Sequence, residues 1–319
     1  MATTTNVTTT YAGESAGKYI AAALLSAPTI ANGNVTVKPN IKYKEVVKTL
    51  GTDGIVKDES CDFTATSTVT IAERILQPKE LQVNLQFCKS TFESDWNAIE
   101  MGYSSFDVLP KSFSDFVIAH AAEKVAAANE VSLWQGATGT SGQFDGFGTL
   151  IAADANLPTT QELALVSGGL TTANIQAELG KVVDALPPAL YGKAGVAIYV
   201  PQNVYKLYVR ALGGYLASGV GANGVENKGN LWYQGQEIFF DGIPVVMAPG
   251  MASSTMIASY KENLWFGTGL LSDHNEVRLI DMSAIDGSQN VRLVMRFSAG
   301  AQYGFAGDIV TYGITNSAN

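Results

Sequence analysis

Two stretches in the first third of the chain have the composition and pattern of β-strands. Residues 63–71 are rich in β-branched side chains, and in residues 81–87 every second residue is apolar while the residues between are Gln or Asn. Such alternation predicts a strand with one apolar face. We predict that the two runs pair as one long hairpin over residues 55–90. An isolated hairpin is marginal in water, so its apolar positions need a surface, which a neighbouring subunit would supply.

The apolar period becomes helical over residues 111–135. Pro110 precedes this segment and Gly136 follows it, as is typical of helix boundaries. At 1.5 Å per residue the helix is about 37 Å long. Its predicted apolar stripe comprises Phe113, Phe116, Val117, Ala121, Lys124, Ala127, Ala128, Val131 and Trp134.

Shorter elements of both kinds follow in the second half. The pattern predicts helices at 173–186 and 202–212 and strands at 196–200, 237–240, 244–247 and 255–258. This mixture indicates an α/β lobe.

The last part of the chain returns to a strand pattern. Residues 276–282 and 291–297 lie on either side of Asp286-Gly287, a dipeptide typical of tight turns, and therefore predict an antiparallel hairpin. A final strand is predicted at 308–313. Residues 1–12 are rich in Thr with little to bury and predict a flexible arm.

Composition indicates that part of the surface meets partners. Of the 319 residues 46% are apolar and only 15% are charged, so the chain can bury a large core but has few charges to cover an isolated surface. The net charge of -9 disfavours tight nucleic-acid binding. Cys61 and Cys88 are predicted to be reduced thiols. The apolar segment 19–31 is too short to span a bilayer.

The candidate catalytic and ligand-binding motifs are weak. Residues 219–224 match GxGxxG but follow a helix instead of a strand, which favours a surface loop. The only histidines are His120, predicted to pack on the long helix, and His274 in a turn, so a catalytic triad is poorly supported. Asp154-Ala-Asn156 begins like a calcium loop, but Pro158 takes the next ligand position. We predict no enzymatic activity, no cofactor and no metal site.

The order of these elements resembles the Hong Kong 97-type fold of tailed-bacteriophage major capsid proteins, over nearly the whole chain. Short motifs also resemble one branch of that family. They are Leu81-Gln-Val-Asn-Leu-Gln-Phe-Cys88, Leu109-Pro-Lys-Ser-Phe113, Trp134-Gln-Gly136, Gly242-Ile-Pro-Val-Val246, Asn263-Leu-Trp-Phe-Gly267 and Met295-Arg-Phe297.

The resemblance implies an α+β fold divided as capsid subunits are. The expected parts are an N-terminal arm (1–50), an E-loop hairpin (51–91), a first part of the P-domain (92–168) with the spine helix 111–135, an α/β A-domain (169–270), a P-domain hairpin (271–298) and a C-terminal strand returning to the A-domain (299–319). The E-loop would lie over a neighbour's spine helix, and the glycine-rich loop 213–229 would line the capsomer axis. The expected inter-subunit contacts are Phe63, Val69, Ile71, Leu76, Leu81, Val83 and Tyr215.

The function that the resemblance implies is self-assembly into pentamers and hexamers of an icosahedral shell around double-stranded DNA, without sequence-specific binding. Expected partners are further copies of the chain, a portal and separate scaffolding or decoration proteins. Neither a cofactor nor a membrane is expected. The protein would assemble in the host cytoplasm and reside in the virion. The alternative is an encapsulin, a nanocompartment shell of the same fold that encloses an enzyme.

Overall fold

The computed structural model describes residues 10–11, 27–52, 69–88, 111–212, 238–269 and 276–318, with isolated positions at 54, 56–59, 61 and 65. The fold is α+β, as predicted. The helices are α1 (Pro28–Ala31), α2 (Lys111–Gln135), α3 (Phe147–Ala152), α4 (Ile175–Asp184) and α5 (Gln202–Leu212). The strands are β1 (Thr10–Tyr11), β2 (Thr36–Lys38), β3 (Glu45–Thr52), β4 (Val69–Leu76), β5 (Lys79–Cys88), β6 (Glu162–Leu163), β7 (Val196–Val200), β8 (Ile238–Phe240), β9 (Ile243–Met247), β10 (Met256–Tyr260), β11 (Leu264–Thr268), β12 (Glu276–Asp281), β13 (Asn290–Tyr303) and β14 (Val310–Tyr312).

The first sheet, called here the central sheet, is organised around the long strand β13. Its order is β1-β12-β13-β11-β2, and β5 also pairs with β13. β12 and β13 are antiparallel, with Val277 opposite Met295, which confirms the predicted hairpin. Val291 and Leu293 are fully buried, because every second residue of β13 points into the core.

The predicted pairing of residues 63–71 with 81–87 is wrong. β4 pairs with β3, and β5 pairs with β13 over ten residues. This register places Phe87 opposite Val291 and Val83 opposite Met295, and both Phe87 and Val83 pack against the core. Because β5 and β13 share the same two-residue apolar period, their pairing supplies both backbone hydrogen bonds and a common core face, which the local hairpin would lack.

The second sheet has the order β6-β14-β10-β7-β9-β8. The strand at 196–200 and the helix at 202–212 occur at their predicted bounds. α4 and α5 cover one face of this sheet, where Leu179 and Val204 pack in one cluster with Ile198. The predicted final strand is observed as β14, at the centre of the predicted range.

Helix α2 has its predicted bounds and packs against both sheets. Ile118 and Trp134 join one apolar cluster with Met295 of the central sheet and Ile257 of the second sheet. The Trp134 ring lies 5.3 Å from that of Tyr199, between ring centroids. The long helix therefore connects the two sheets through a common core.

The predicted stripe on α2 is wrong in part, because four of its members are exposed: Lys124, Ala127, Ala128 and Val131. The buried face includes the polar residues Glu130 and Ser132 instead. Among the described side chains of α2, at residues 117–135, the buried ones are Ile118, Ala121, Val125, Ala126, Asn129, Glu130, Ser132, Leu133 and Trp134. Counting apolar residues therefore missed a buried face that also carries the polar side chains of Asn129, Glu130 and Ser132.

Candidate assembly surface

β3 and β4 form a two-stranded antiparallel unit, called here the ribbon. Each strand has eight residues, so the ribbon is about 26 Å long at 3.3 Å per residue. Val46 is opposite Ile75, and Leu50 is opposite Ile71. Residues directly opposite each other share a face, so these four side chains and that of Val69 lie on one side of the ribbon.

These five side chains define an exposed apolar stripe. Their exposed fractions are 42% for Val46, 62% for Leu50, 54% for Val69, 62% for Ile71 and 46% for Ile75. Fully burying an aliphatic side chain contributes roughly 1.5–3 kcal/mol, so covering all five half-exposed side chains would contribute on the order of 5 kcal/mol. Clusters of this kind on a protein surface usually mark an interaction site.

One ion pair interrupts the stripe. Lys48 Nζ lies 3.5 Å from Glu73 Oε1, and these two side chains are 68% and 53% exposed. They are directly opposite each other on the same face as Leu50. A pair this exposed contributes little to stability, so the stripe is apolar towards both ends of the ribbon and polar at its middle.

The other face of the ribbon is anchored to the body at its base. Leu76 is fully buried and packs with Ile41 and Trp265. On the β3 side, Lys38 Nζ lies 2.9 Å from Glu45 Oε1 and 4.5 Å from the centre of the Trp265 ring. The ribbon thus extends from a packed base.

A buried polar cluster on the β4 side completes this base. The Asp154 carboxylate accepts hydrogen bonds from Arg74, from the Tyr303 hydroxyl at 2.6 Å, and from the backbone N–H of Asn156 at 3.0 Å. The Arg74 guanidinium lies 4.8 Å from the centre of the Tyr303 ring. Asn316 Nδ2 donates to the Asp154 carbonyl oxygen at 2.8 Å, which ties the C-terminal segment to the same residue.

The hydrogen bonds of this cluster govern the ionisation of Asp154. Burial alone would raise the pKa of the carboxyl group, but the hydrogen bonds from Tyr303, Asn156 and Arg74 outweigh it and lower the pKa to about 2. Burial and the bond to Asp154 raise the pKa of Tyr303. Asp154 is therefore ionised at neutral pH and holds Arg74 in place.

The structure separates the residues predicted as inter-subunit contacts. Val69 and Ile71 lie on the stripe. Leu76 does not, because it is buried in the base, and Leu81 and Val83 are half-buried against the chain's own core since β5 belongs to the central sheet. Outside the described residues lie Phe63, Tyr215, the loop 213–229, His274 and, in the N-terminal arm, residues 1–9 and 12–26.

Three stripe residues were not predicted from the sequence. Val46 and Leu50 lie in the segment 45–52, whose sequence EVVKTLGT has no regular two-residue apolar period, and residues 45–50 were assigned to the arm; Ile75 was not singled out. Asp154 was missed as a structural centre because its partners Arg74 and Tyr303 are 80 and 149 residues away in the chain. Local sequence carries no signal for such a cluster.

Helix α2 also presents an exposed face of small and polar residues. Ala127, Ala128 and Val131 are exposed there, with Val131 at 42%. His120 is exposed on the same helix, so the prediction that it is a packing residue is wrong. Because the alanine side chains of this face are small, the backbone of another chain could approach the helix closely.

No group of three His, Cys, Asp or Glu side chains suited to a metal ion occurs within the described residues. None of the described helices is both long and apolar enough to cross a membrane. Of the two cysteines, Cys61 is exposed and Cys88 is half-buried.

No protein-family model matches the sequence, and comparison with curated proteins finds no match. Several solved structures are similar over nearly their whole length. A chain from the capsid of a native GTA particle is 14% identical with a TM-score of 0.61, and the alignment covers 92% of this chain and 90% of that one. The chain has a phage-capsid fold.

Two phage structures have the same fold. A chain of the satellite phage P4 procapsid, which includes the size determination (Sid) protein, is 11% identical with a TM-score of 0.55, covering 93% of this chain and 99% of that one. A capsid chain of the Myoviridae phage XM1 is 11% identical with a TM-score of 0.55, covering 98% and 96%. The similarity to these capsid chains thus extends over more than nine-tenths of this chain.

Proposed function

We propose that the chain is the major capsid protein of a tailed double-stranded DNA bacteriophage. Copies assemble into pentamers and hexamers of an icosahedral shell that encloses the genome without reading its sequence. The observation that carries this proposal is the exposed apolar stripe on the ribbon of a chain with a capsid fold. A stripe of this size is unfavourable on a solitary molecule and is stabilising once a neighbour covers it.

The parts of a Hong Kong 97-type subunit can be assigned to this fold. The ribbon corresponds to the E-loop, with bounds of 45–76 in place of 51–91. α2 corresponds to the spine helix, and with the central sheet it forms the P-domain. The second sheet with α4 and α5 corresponds to the A-domain, to which β14 returns in the C-terminal segment.

The receiving surface for the stripe is the exposed face of a neighbour's α2. The apolar surface there is formed by the short side chains of Ala127, Ala128 and Val131, so the ribbon can approach the helix closely. Leu50 and Ile71 stand opposite each other on the ribbon and would lie across these alanines. Removing both surfaces from water is the driving force for the contact.

The remaining partners follow from the same role. A portal would occupy one vertex, and scaffolding or decoration proteins would be separate chains. Assembly would take place in the host cytoplasm, and the finished shell would be part of the virion. The net charge of -9 suits a shell that contains DNA without binding it tightly.

Electron microscopy of the overexpressed full chain tests the proposed class. Closed shells or capsomers are expected, and uniform monomers at high concentration would contradict the proposal. Particles from infected or lysogenic cells should hold nuclease-resistant DNA. A co-purifying enzyme cargo in place of DNA would instead identify an encapsulin.

A further inference from the structure

The direction in which the ribbon leaves the body depends on few contacts. Beyond its base the described side chains of both strands are exposed, apart from the half-buried Val47 and Arg74. A ribbon about 26 Å long acts as a lever, since a tilt of about 10° at the base moves its far end by roughly 4–5 Å. The stripe can meet a neighbour in one register only if that tilt is fixed.

The two sides of the base differ in their anchoring. On the β3 side, Lys38 and Glu45 form a pair whose side chains are 25% and 42% exposed. On the β4 side, the Asp154 side chain is only 6% exposed and that of Arg74 is 22% exposed. Gln302 Nε2 also donates to the Ile75 carbonyl oxygen at 3.0 Å. The more buried anchor of the ribbon is therefore the one on the β4 side.

The cluster joins four parts of the chain at one residue, Asp154. Arg74 belongs to β4 of the ribbon, Tyr303 ends β13, Asp154 follows α3, and Asn316 lies in the C-terminal segment. Both Arg74 and Tyr303 bond to the same Asp154 oxygen, Oδ2, and the guanidinium also lies over the Tyr303 ring. Arginine held both by a carboxylate and by an aromatic face has little freedom to reorient.

We propose that Arg74, Asp154 and Tyr303 form a latch that fixes the angle between the ribbon and the body, and that the ribbon pivots about its base when the latch is broken. The latch is a property of the single subunit. Its consequence for assembly, a stripe presented in one orientation, rests on the proposed function.

The angle can be measured by pulsed electron paramagnetic resonance between two spin labels. One label is placed on the ribbon by Ile71→Cys and the other on α5 by Lys206→Cys, after Cys61 and Cys88 have been replaced. Both labelling positions are exposed. Labelled chains are diluted into excess unlabelled chain, so that only distances within one subunit are recorded.

Arg74→Gln is expected to at least double the width of the distance distribution. Lys48→Gln is the matched control, because it removes the same charge from the same ribbon but breaks only the exposed pair with Glu73. Its distribution should match that of the unsubstituted chain. Should Arg74→Gln fail to fold, Asp154→Asn removes the charge from the other side of the latch and should broaden the distribution likewise.

Equal widths for the latch variants and the Lys48→Gln control would overturn the latch. Electron microscopy of the unsubstituted chain separates this result from the proposed function. If the latch variants broaden the distance distribution but the unsubstituted chain never forms shells, the latch is supported and the capsid role is contradicted. If the unsubstituted chain forms normal shells but the latch variants and the control give distributions of equal width, the capsid role is supported and the latch is contradicted.

Discussion

β13 and the ribbon strand β4 have similar apolar alternation but opposite environments. In β13, Leu293 is fully buried in the core cluster to which α2 also contributes, whereas in β4 Ile71 is 62% exposed. β13 has pairing strands on both edges, while β4 pairs with β3 in a separate two-stranded sheet. The comparison shows that an alternating pattern predicts a strand with an apolar face, but the partner that covers this face can lie in another molecule.

The largest expected effect comes from placing a charge on the stripe. Ile71→Asp or Leu50→Asp should abolish shell formation, because covering the stripe would then bury an unpaired carboxylate. The subunit itself should lose less than about 1 kcal/mol, since both side chains are exposed. Sedimentation and electron microscopy measure the shells, and denaturant unfolding measures the subunit.

Ile285→Asp is the control for these stripe variants. The exposed fraction of Ile285, 56%, is similar to the 62% of Ile71, but Ile285 lies in the connection between β12 and β13. It should form shells at the normal yield. Loss of shells in this variant as well would mean that any added surface charge blocks assembly.

In the core, by contrast, a substitution should destabilise the subunit itself. Leu293→Ala should lower the free energy of unfolding of the subunit by about 2–5 kcal/mol, because it leaves a cavity between β13 and α2. Ile71→Ala should change it by about 0.5 kcal/mol or less. Similar losses for both variants would show that the ribbon is covered within its own subunit.

Acid should weaken the subunit through Asp154. Its pKa is lowered from 3.8 to about 2 on folding, so its contribution of about 2 kcal/mol is complete above pH 3.8 and is lost as the pH falls towards 2. Asp154→Asn should remove this part of the pH dependence. Identical acid unfolding profiles for the two chains would contradict the role of the buried carboxylate.

The smallest effect is expected at the ion pair within the stripe. Lys48→Gln should change the free energy of unfolding of the subunit by less than about 0.5 kcal/mol, because exposed pairs of this kind contribute little. Chemical denaturation at low and high salt measures it. A loss of several kcal/mol would mean that the pair is shielded from water within the subunit.

Local pattern was sufficient for the elements whose partners are near in sequence or whose period is strong. The bounds of α2, β7 and α5 and the β12–β13 hairpin follow from periodicity, Pro and Gly. The pairing of β5 with β13 did not follow, because a sequence shows the period of a strand but not which distant strand shares it.

Buried polar groups account for most of the remaining errors. Glu130 accepts hydrogen bonds from the Thr29 backbone and from Trp134 Nε1, so a charged residue occupies the core face of α2. Ser132 is buried because the loop after the helix folds back onto it, where a side chain at Gly146 would collide with the Ser132 carbonyl oxygen. Contacts of this kind depend on tertiary packing, and hydrophobicity alone places such residues outside.

Cryo-electron microscopy of the assembled particle would show which residues cover the ribbon. We expect the five stripe side chains to lose most of their exposure against an adjacent copy, with Leu50 and Ile71 on the exposed face of its α2. A shell in which these side chains remain in solvent would contradict the claim that the stripe drives assembly.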